Sequence, residues 1–309
     1  MARFFIQRSL RSLLTLWIVV TVVFLAFRLA GDPLTILLPE DTDPAVRAFY
    51  IEKWGLNASL PEQYARYFLN ILQGNLGQSF VNGRNVTDVI ADALPSTLIL
   101  GTSAFLVSLV LGAGAGIIAA LNHNKLADRI TMLFAVMAYS MPDYILGVLL
   151  IIVFALELRW LPTSGNDTWR HMILPLVTLS TSAAARTARF SRSAMLEVLN
   201  AHYLRTARSK GLRERTVILR HALRNALIPV ITILGFQLGF LVGGAAIVET
   251  VFAWPGIGRL FVSSVSTRDL PVVQAVALLV ATGVILANLL VDVAYGFIDP
   301  RISLAGEGK

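Results

Sequence analysis

The residues that most often hold metals or move protons are sparse in this sequence, and their spacing argues against such chemistry. His123, His171, His202 and His221 are scattered, with no metal-ligand spacing among them. Cysteine is absent, which excludes disulfides, thiol catalysis and thiolate metal sites. No G-x-x-x-x-G-K-[ST] loop occurs to cradle ATP phosphates. Gly101-Thr102-Ser103-Ala104-Phe105 lacks the second glycine of a nucleophile elbow, and no H-E-x-x-H occurs. Two features remain. Asp143, beside Pro142, interrupts the otherwise uncharged stretch 130–156. An ionisable residue inside a span is a pathway candidate, since a central Asp costs about 2.5–3.5 kcal/mol to insert. Pro142 can equally open the helix there and carry Asp143 out of the apolar core. The second feature is 186–224, with ten basic and two acidic residues in 39.

The elements that must position these residues are membrane helices. Of 309 residues, 56% are hydrophobic and 15% charged, with mean hydropathy +0.69, whereas a soluble domain carries about 25% charged residues. Such a chain cannot cover itself with a water-compatible surface, which rules out an ordinary soluble enzyme, a disordered protein and a nucleic-acid binder. A span needs about 20 apolar residues. Stretches 97–121, 226–248 and 271–291 supply 25, 23 and 21 uncharged residues. Stretch 130–156 is read as a further span despite Asp143, 13–27 as a first one running past Arg28, and 172–185, rich in Thr, Ser and Ala, as the weakest. The expectation is six spans. The N-terminal run is read as a retained anchor, because Phe27-Arg28-Leu29-Ala30 offers no A-x-A-like cleavage site.

Lys and Arg set the orientation. With the N-terminus inside, segments 1–12, 122–130, 186–225 and the tail hold 17 of the 26 basic residues. Both ends are therefore expected in the cytoplasm, and the +7 net charge reflects topology rather than nucleic acid. The outer segment 31–95 is too long for a bare connection. Stretches 45–54 and 60–73 have helical apolar spacing, Pro61 suits a helix start after Ser59 or Leu60, and Gly74, Gly77, Asn82 and Gly83 punctuate a loop. A small helical cap is expected, serving as a structural lid or as a docking surface for an external protein. In the inner loop, Met195, Leu196, Leu199, Tyr203 and Ala207 recur at helical spacing, and Gly211 suits a stop with positive φ. A second helix is expected to carry Val217, Leu219, Leu223 and Leu227 into the fifth span. Gln237 and Asn288 are neutral polar residues in spans, suited to helix–helix hydrogen bonds or to lining a pathway. Asp292 is expected to pair with an inner arginine. Gly112-Ala113-Gly114-Ala115-Gly116 lies in an uncharged span, where small residues permit close helix packing.

Tyr203-Leu204-Arg205-Thr206-Ala207-Arg208-Ser209-Lys210-Gly211-Leu212, followed by Arg220-His221-Ala222-Leu223-Arg224-Asn225-Ala226-Leu227-Ile228-Pro229, resembles the cytoplasmic loop of ABC importer permeases. It is similar to the variant of the dipeptide/oligopeptide/nickel family, in the subunit with the long first outer loop. Ala207 and Gly211 fit the general loop pattern; Arg205 stands where Glu is usual and Thr206 where Ala is usual, as in that branch. The resemblance continues through Gly74-Asn75-Leu76-Gly77-Gln78-Ser79, Leu94-Pro95-Ser96-Thr97, Ser140-Met141-Pro142, Arg159-Trp160-Leu161-Pro162, Val248-Glu249-Thr250-Val251-Phe252, Trp254-Pro255-Gly256-Ile257-Gly258, Arg268-Asp269-Leu270-Pro271 and Asp299-Pro300-Arg301.

The resemblance implies an all-α integral membrane protein of the type I ABC importer permease fold. It implies a first span with the cytoplasmic N-terminal end over 1–30, a periplasmic cap over 31–95, a permease core over 96–300 with the coupling loop at 186–225, and a cytoplasmic tail over 301–309. The chain is then one half of a heterodimeric pore in the bacterial inner membrane, without catalytic residues or cofactor. ATP and Mg belong to two partner ATPase subunits, and a periplasmic binding protein delivers the cargo. Tyr203, Leu204, Arg205, Thr206, Ala207, Lys210, Gly211 and Leu212 are expected to couple to an ATPase. Asp143, Gln237 and Asn288 are pathway candidates, and Glu249, Trp254, Pro255 and Gly256 form an outer gate or turn. Cargo by resemblance is a dipeptide, oligopeptide, glutathione, nickel complex or sugar. The alternative classes are an ion-coupled secondary transporter, for which only Asp143 is a candidate and no convincing repeat joins the halves, and an intramembrane enzyme, whose motifs are missing.

Overall fold

The computed structural model describes residues 2–29, 34, 42–53, 56–239 and 245–298. Among them the regular structure is helical, apart from one isolated bridge between Gln78 and Asn85. The helices are α1 (Ala2–Leu29), α2 (Pro44–Lys53), α3 (Leu60–Leu72), α4 (Val86–Leu121), α5 (Leu126–Ser140), α6 (Asp143–Glu157), α7 (Trp169–Leu199), α8 (His202–Ser209), α9 (Leu223–Gly239), α10 (Ala246–Val251), α11 (Ile257–Ser266) and α12 (Leu270–Ile298). Among the described residues, three helical stretches are each long and apolar enough to cross a bilayer: Ser9–Ala26, Val86–Leu121 and Leu270–Leu290.

The expected span over 130–156 is not one straight helix. It is α5 and α6, bent by 98° at the break. The cause is local: Pro142 lacks an N–H and disfavours a helical conformation in the residue before it. Met141 is accordingly extended, at φ −87°, ψ 121°. The pair counts as a fourth span only if both arms are taken together. The 17-residue α9 and the 31-residue α7 are not among the long apolar stretches.

The chain divides into two compact units, 1–95 with 256–283, and 96–255 with 284–309. In the first, α2 and α3 form where the apolar spacing places them. Ser59 caps α3 with Pro61 in its first turn, and Gly74, Gly77 and Gly83 take φ of 75°, 83° and 69°, a region that favours glycine. Phe24 of α1 packs edge-on to Tyr64 at 5.3 Å and stacks on Tyr67 at 5.7 Å, while Thr21 Oγ1 and Tyr64 OH share a hydrogen bond of 2.7 Å.

The loop after α3 is fastened by one carboxylate. Asp269, buried just before α12, accepts a bond from Ser79 Oγ and another from the Phe80 N–H at 3.0 Å. Ser79 Oγ in turn accepts from the Val81 and Asn82 N–H groups, so one side chain closes the turn and ties it to Asp269. Bonds to a charged acceptor contribute about 1.5–3 kcal/mol. Asp269→Ala is therefore expected to speed trypsin cleavage after the exposed Arg84 by about tenfold or more, read by timed digestion of the purified protein. An unchanged rate would mean that the loop is held by something else.

In the second unit, α4 packs closely on α7. A Cβ built on Gly112 would lie 2.6 Å from the Ala184 carbonyl oxygen, and one on Gly116 would lie 2.3 Å from that of Ala188. On Gly114 it would meet nothing within 4 Å. The two tight glycines are four residues apart, hence on one helix face, and they let the helices touch backbone to backbone. α4 passes this contact through a π-helical stretch, Ser108–Ala113.

Candidate functional site

The basic stretch 186–224 does not form the helix that its apolar spacing suggests. Met195, Leu196 and Leu199 belong to the end of α7, which continues from its apolar half to Leu199. The chain then breaks at Asn200, whose side chain bonds back to the Leu196 carbonyl at 3.0 Å, and at extended Ala201. α8 begins only at His202. Leu204 and Ala207 are buried with Met195, Val217, Ala222 and Ala226, so the short helix is glued to its own chain by one face. His202, Tyr203, Arg205, Thr206, Arg208, Ser209, Lys210, Gly211 and Leu212 are exposed. Gly211 ends the run at φ 75°, and the Lys210 N–H bonds back to the Thr206 carbonyl at 3.1 Å.

Two side-chain ties hold this unit. Arg208 grips Glu214 across the turn at 2.8 Å, which draws the Glu214 carboxyl down and the Arg208 guanidinium up from their ordinary pKa values. Asn225 Nδ2 donates to Tyr203 OH at 2.9 Å, joining α8 to α9. Between them the chain runs through a π-helical stretch, Val217–Ala222. Its wider turn shifts the phase of the following residues, so Leu219, expected on the apolar face, is 52% exposed while Val217 and Ala222 are buried.

Neither composition nor spacing pointed to the cluster beneath α7. Asp128, 2% exposed, accepts two bonds from Arg192, at 2.5 Å from Nε and 2.8 Å from Nη2, and one from the Asn124 N–H at 2.9 Å. His123 Nδ1 lies 3.3 Å from the same carboxylate. Asp128 lies outside the apolar stretch 130–156, and Arg192 holds its carboxyl far below the usual range. The left-handed Asn124, at φ 63°, turns its N–H toward the site. The four-residue loop between α4 and α5 is thereby clamped to α7. The partners are 64 residues apart, and no local pattern links them.

The pathway candidates separate. Asp143 opens α6, in the first turn after the bend, where a carboxylate faces unpaired backbone N–H groups; among the described residues no side chain bonds to it. Gln237 is tied at both ends of its amide: its Oε1 accepts from Ser108 Oγ at 3.3 Å and its Nε2 donates to Thr187 Oγ1 at 3.0 Å, linking α4, α7 and α9. Asn288 is half-buried in α12. The side chain of Asp292, and residues 299–309, lie outside the described residues.

The segment expected to be a gate or turn is a bonded corner. Glu249, fully buried in α10, accepts from Thr97 Oγ1 at 2.7 Å. The Trp254 N–H donates to the Glu249 carbonyl at 2.8 Å, and its indole N–H to the Ser96 carbonyl at 3.0 Å. Ala253 between them takes φ 48°. Pro255 is exposed and Gly256 caps α11 in an extended conformation.

Among the described residues, three helical stretches are long and apolar enough to cross a bilayer, and a basic, largely exposed helical loop lies between α7 and α9. Residues 112–304 match the family described as "Binding-protein-dependent transport system inner membrane component", and residues 1–101 match the N-terminal membrane component of such systems. The chain belongs to this family: it is a multi-pass inner-membrane permease subunit of an ABC importer, a transport component and not an enzyme. It is 47% identical over 303 residues to the glutathione transport system permease protein GsiC of Pectobacterium atrosepticum, covering 98% of this chain and 99% of that one. It is 46% identical to GsiC of Escherichia coli K12 over the same shares. The fold is similar to the inward-facing MetNI methionine ABC transporter, with TM-score 0.57, 19% identity, and coverage of 68% of this chain and 96% of that one. It is also similar to an amino acid ABC transporter, with TM-score 0.55, 16% identity, and coverage of 67% and 92%. Importers of this kind pair permease subunits with ATPases and a periplasmic binding protein, and membership sets aside the ion-coupled reading.

Proposed function

We propose that this chain is one half of a six-span heterodimeric pore that takes up glutathione or a similarly small peptide. What carries the reading is the 47% identity to a glutathione permease along 99% of that protein's length. Both termini and 186–225 lie in the cytoplasm, and 31–95 forms a periplasmic cap that receives the binding protein. Two ATPase subunits sit below. The exposed Tyr203, Arg205, Thr206 and Lys210 of the α8 region, with Gly211 and Leu212, face an ATPase. Leu204 and Ala207 act from beneath by anchoring the helix to its own core. Asp143 and Asn288 line the route, and Gln237 holds the helices around it. Glu249, Trp254, Pro255 and Gly256 brace the outer corner.

The test is reconstitution of the complete complex in liposomes with labelled glutathione, alanyl-alanine and nickel. Uptake of glutathione or the dipeptide should require ATP and survive an ionophore. Uptake of nickel alone would overturn the cargo, and ionophore-sensitive uptake would overturn the mechanism. Topology is read separately. Ser209→Cys is the only thiol in the chain and is expected to resist an impermeant reagent applied from outside; labelling of intact cells would reverse the assignment.

A further inference from the structure

One ladder of charge on α7 has no use in the architecture described so far. Arg192, Arg189 and Arg186 follow one another at three-residue steps, about 4.5 Å apart along the axis. Arg192 is neutralised by the buried Asp128. Arg189 and Arg186 are exposed, and among the described residues neither has a carboxylate within ion-pair distance. Arg189 instead lies over the face of Tyr139, with Cζ 5.5 Å from the ring centroid.

The direction of Arg189 is the informative part. The Gly112–Ala184 and Gly116–Ala188 approaches make α4 and α7 parallel, and the short loop before α5 makes α5 antiparallel to both. Tyr139 is eleven residues beyond Asp128 on α5, about 16 Å along its axis. A guanidinium over Tyr139 therefore reaches away from the Asp128 level, toward the N-terminal end of α7. Helical side chains lean that way, and the Tyr139 ring leans back to meet it. An arginine at the edge of a span ordinarily snorkels its charge to the nearer interface. With 172–185 taken as one of the six proposed spans, this one does the reverse, and its cation lies over a π face, 5.5 Å from the Tyr139 ring centroid, which attracts but does not neutralise it. Arg186, another turn further along, has no such support.

An unneutralised guanidinium turned into the apolar half of a helix is costly against lipid. Water and an anion relieve that cost. We propose that Arg186 and Arg189 form a carboxylate-reading track on the translocation pathway, with Tyr139 holding the second cation in place. The solute's carboxylate meets Arg186, then Arg189, and is released at the Asp128–Arg192 pair, where the third cation is already satisfied. Such a track binds strongly enough to admit an anion and weakly enough to release it. It rests on the uptake of a small peptide proposed above, and it names the peptide carboxylate as the group recognised.

The absence of cysteine in this chain makes the test direct. Arg189→Cys and Arg186→Cys are assembled with cysteine-free partner subunits and exposed to water-soluble methanethiosulfonates, one cationic (aminoethyl) and one anionic (sulfonatoethyl). Added only to the periplasmic face of sealed vesicles, the impermeant anionic reagent should react at both positions during turnover, which reports an aqueous route whatever the cargo. Uptake of S-methylglutathione and of alanyl-alanine, neither of which can strip the label, should fall at least tenfold in Arg189→Cys. The cationic label should restore it and the anionic label should not, while Arg189→Lys should keep most of it. Failure of either cysteine to react, uptake within twofold of wild type, or equal restoration by both labels would overturn the track. A defect confined to vesicles of anionic lipid would also overturn it, by making a headgroup phosphate the counter-ion. A wild-type complex that takes up neither peptide would defeat the proposed cargo, and the labelling would still decide whether the route exists.

Discussion

Gly116→Ala is expected to cost about 3 kcal/mol or more of stability and to leave little monodisperse protein in detergent. The new methyl would sit 2.3 Å from the Ala188 carbonyl oxygen and 2.9 Å from Ser191 Cβ. A carbonyl inside a helix cannot rotate away, so α4 and α7 must separate. Overpacking typically costs about 1–3 kcal/mol and sometimes more. Here the cost falls at the upper end, because membrane helices associate through close van der Waals packing without a hydrophobic drive between them. Gly112→Ala should behave similarly, at 2.6 Å from the Ala184 carbonyl and 2.8 Å from Thr187 Cβ. It also disturbs the neighbourhood of the Gln237–Thr187 bond. Gly114→Ala is the control. With nothing within 4 Å, it should be neutral or stabilise the helix by about 0.5–1 kcal/mol. Thermal melting in detergent, followed by size exclusion, reads all three. Equal melting of the Gly114 and Gly116 variants would show that the helices do not meet there.

That contrast also shows how far the residues alone could be read. The run Gly112–Gly116 announces close packing, yet which of its three glycines makes the contact depends on the partner helix, and composition is blind to that. The helices Pro44–Lys53 and Leu60–Leu72 and the turn after them were legible because their signals are local: Pro61 in a first turn, and glycines where positive φ is required. The inner loop was half legible. Gly211 marks its own stop, but the apolar series from Met195 to Ala207 runs straight through the break at Asn200, because both helices bury the same face against one core. Leu219 was misplaced because a π stretch shifts the helical phase, and no residue type announces one. The bend at Pro142 was foreseeable as an opening but not as a turn of 98°. Asp128 with Arg192, and Ser79 with Asp269, were illegible for a different reason. Their partners lie 64 and 190 residues apart, and a lone Asp at a helix start looks the same whether it faces water or a buried arginine.

Gly211→Val should leave the subunit inserted and assembled from its own core outward, yet lower substrate-stimulated ATP hydrolysis and uptake by tenfold or more. The glycine sits at φ 75°, which costs an ordinary residue about 1 kcal/mol or more and a β-branched one the most. Space within the chain is not the obstacle, since a Cβ there meets nothing within 4 Å. The strain is relieved by changing the backbone between Lys210 and Leu212, and that moves α8 against the residues that flank it. Its anchors on one side are Leu204 and Ala207 in the core, and on the other the Arg208–Glu214 grip across the turn, so a changed turn breaks one of them. Either way the exposed face carrying Tyr203, Arg205 and Lys210 is presented at a new angle. A chain without a nucleotide loop can respond to ATP hydrolysis only through contact with a partner, and in the proposed reading that face is the contact. Gly211→Asn separates strain from bulk, because asparagine tolerates the left-handed region while adding a comparable volume. It should retain most of the stimulation. The measurement is binding-protein-stimulated ATPase activity of the complex in liposomes, with assembly checked by co-purification. Loss in both variants would point to bulk against the ATPase rather than backbone conformation, and normal stimulation in the valine variant would remove α8 from the coupling path.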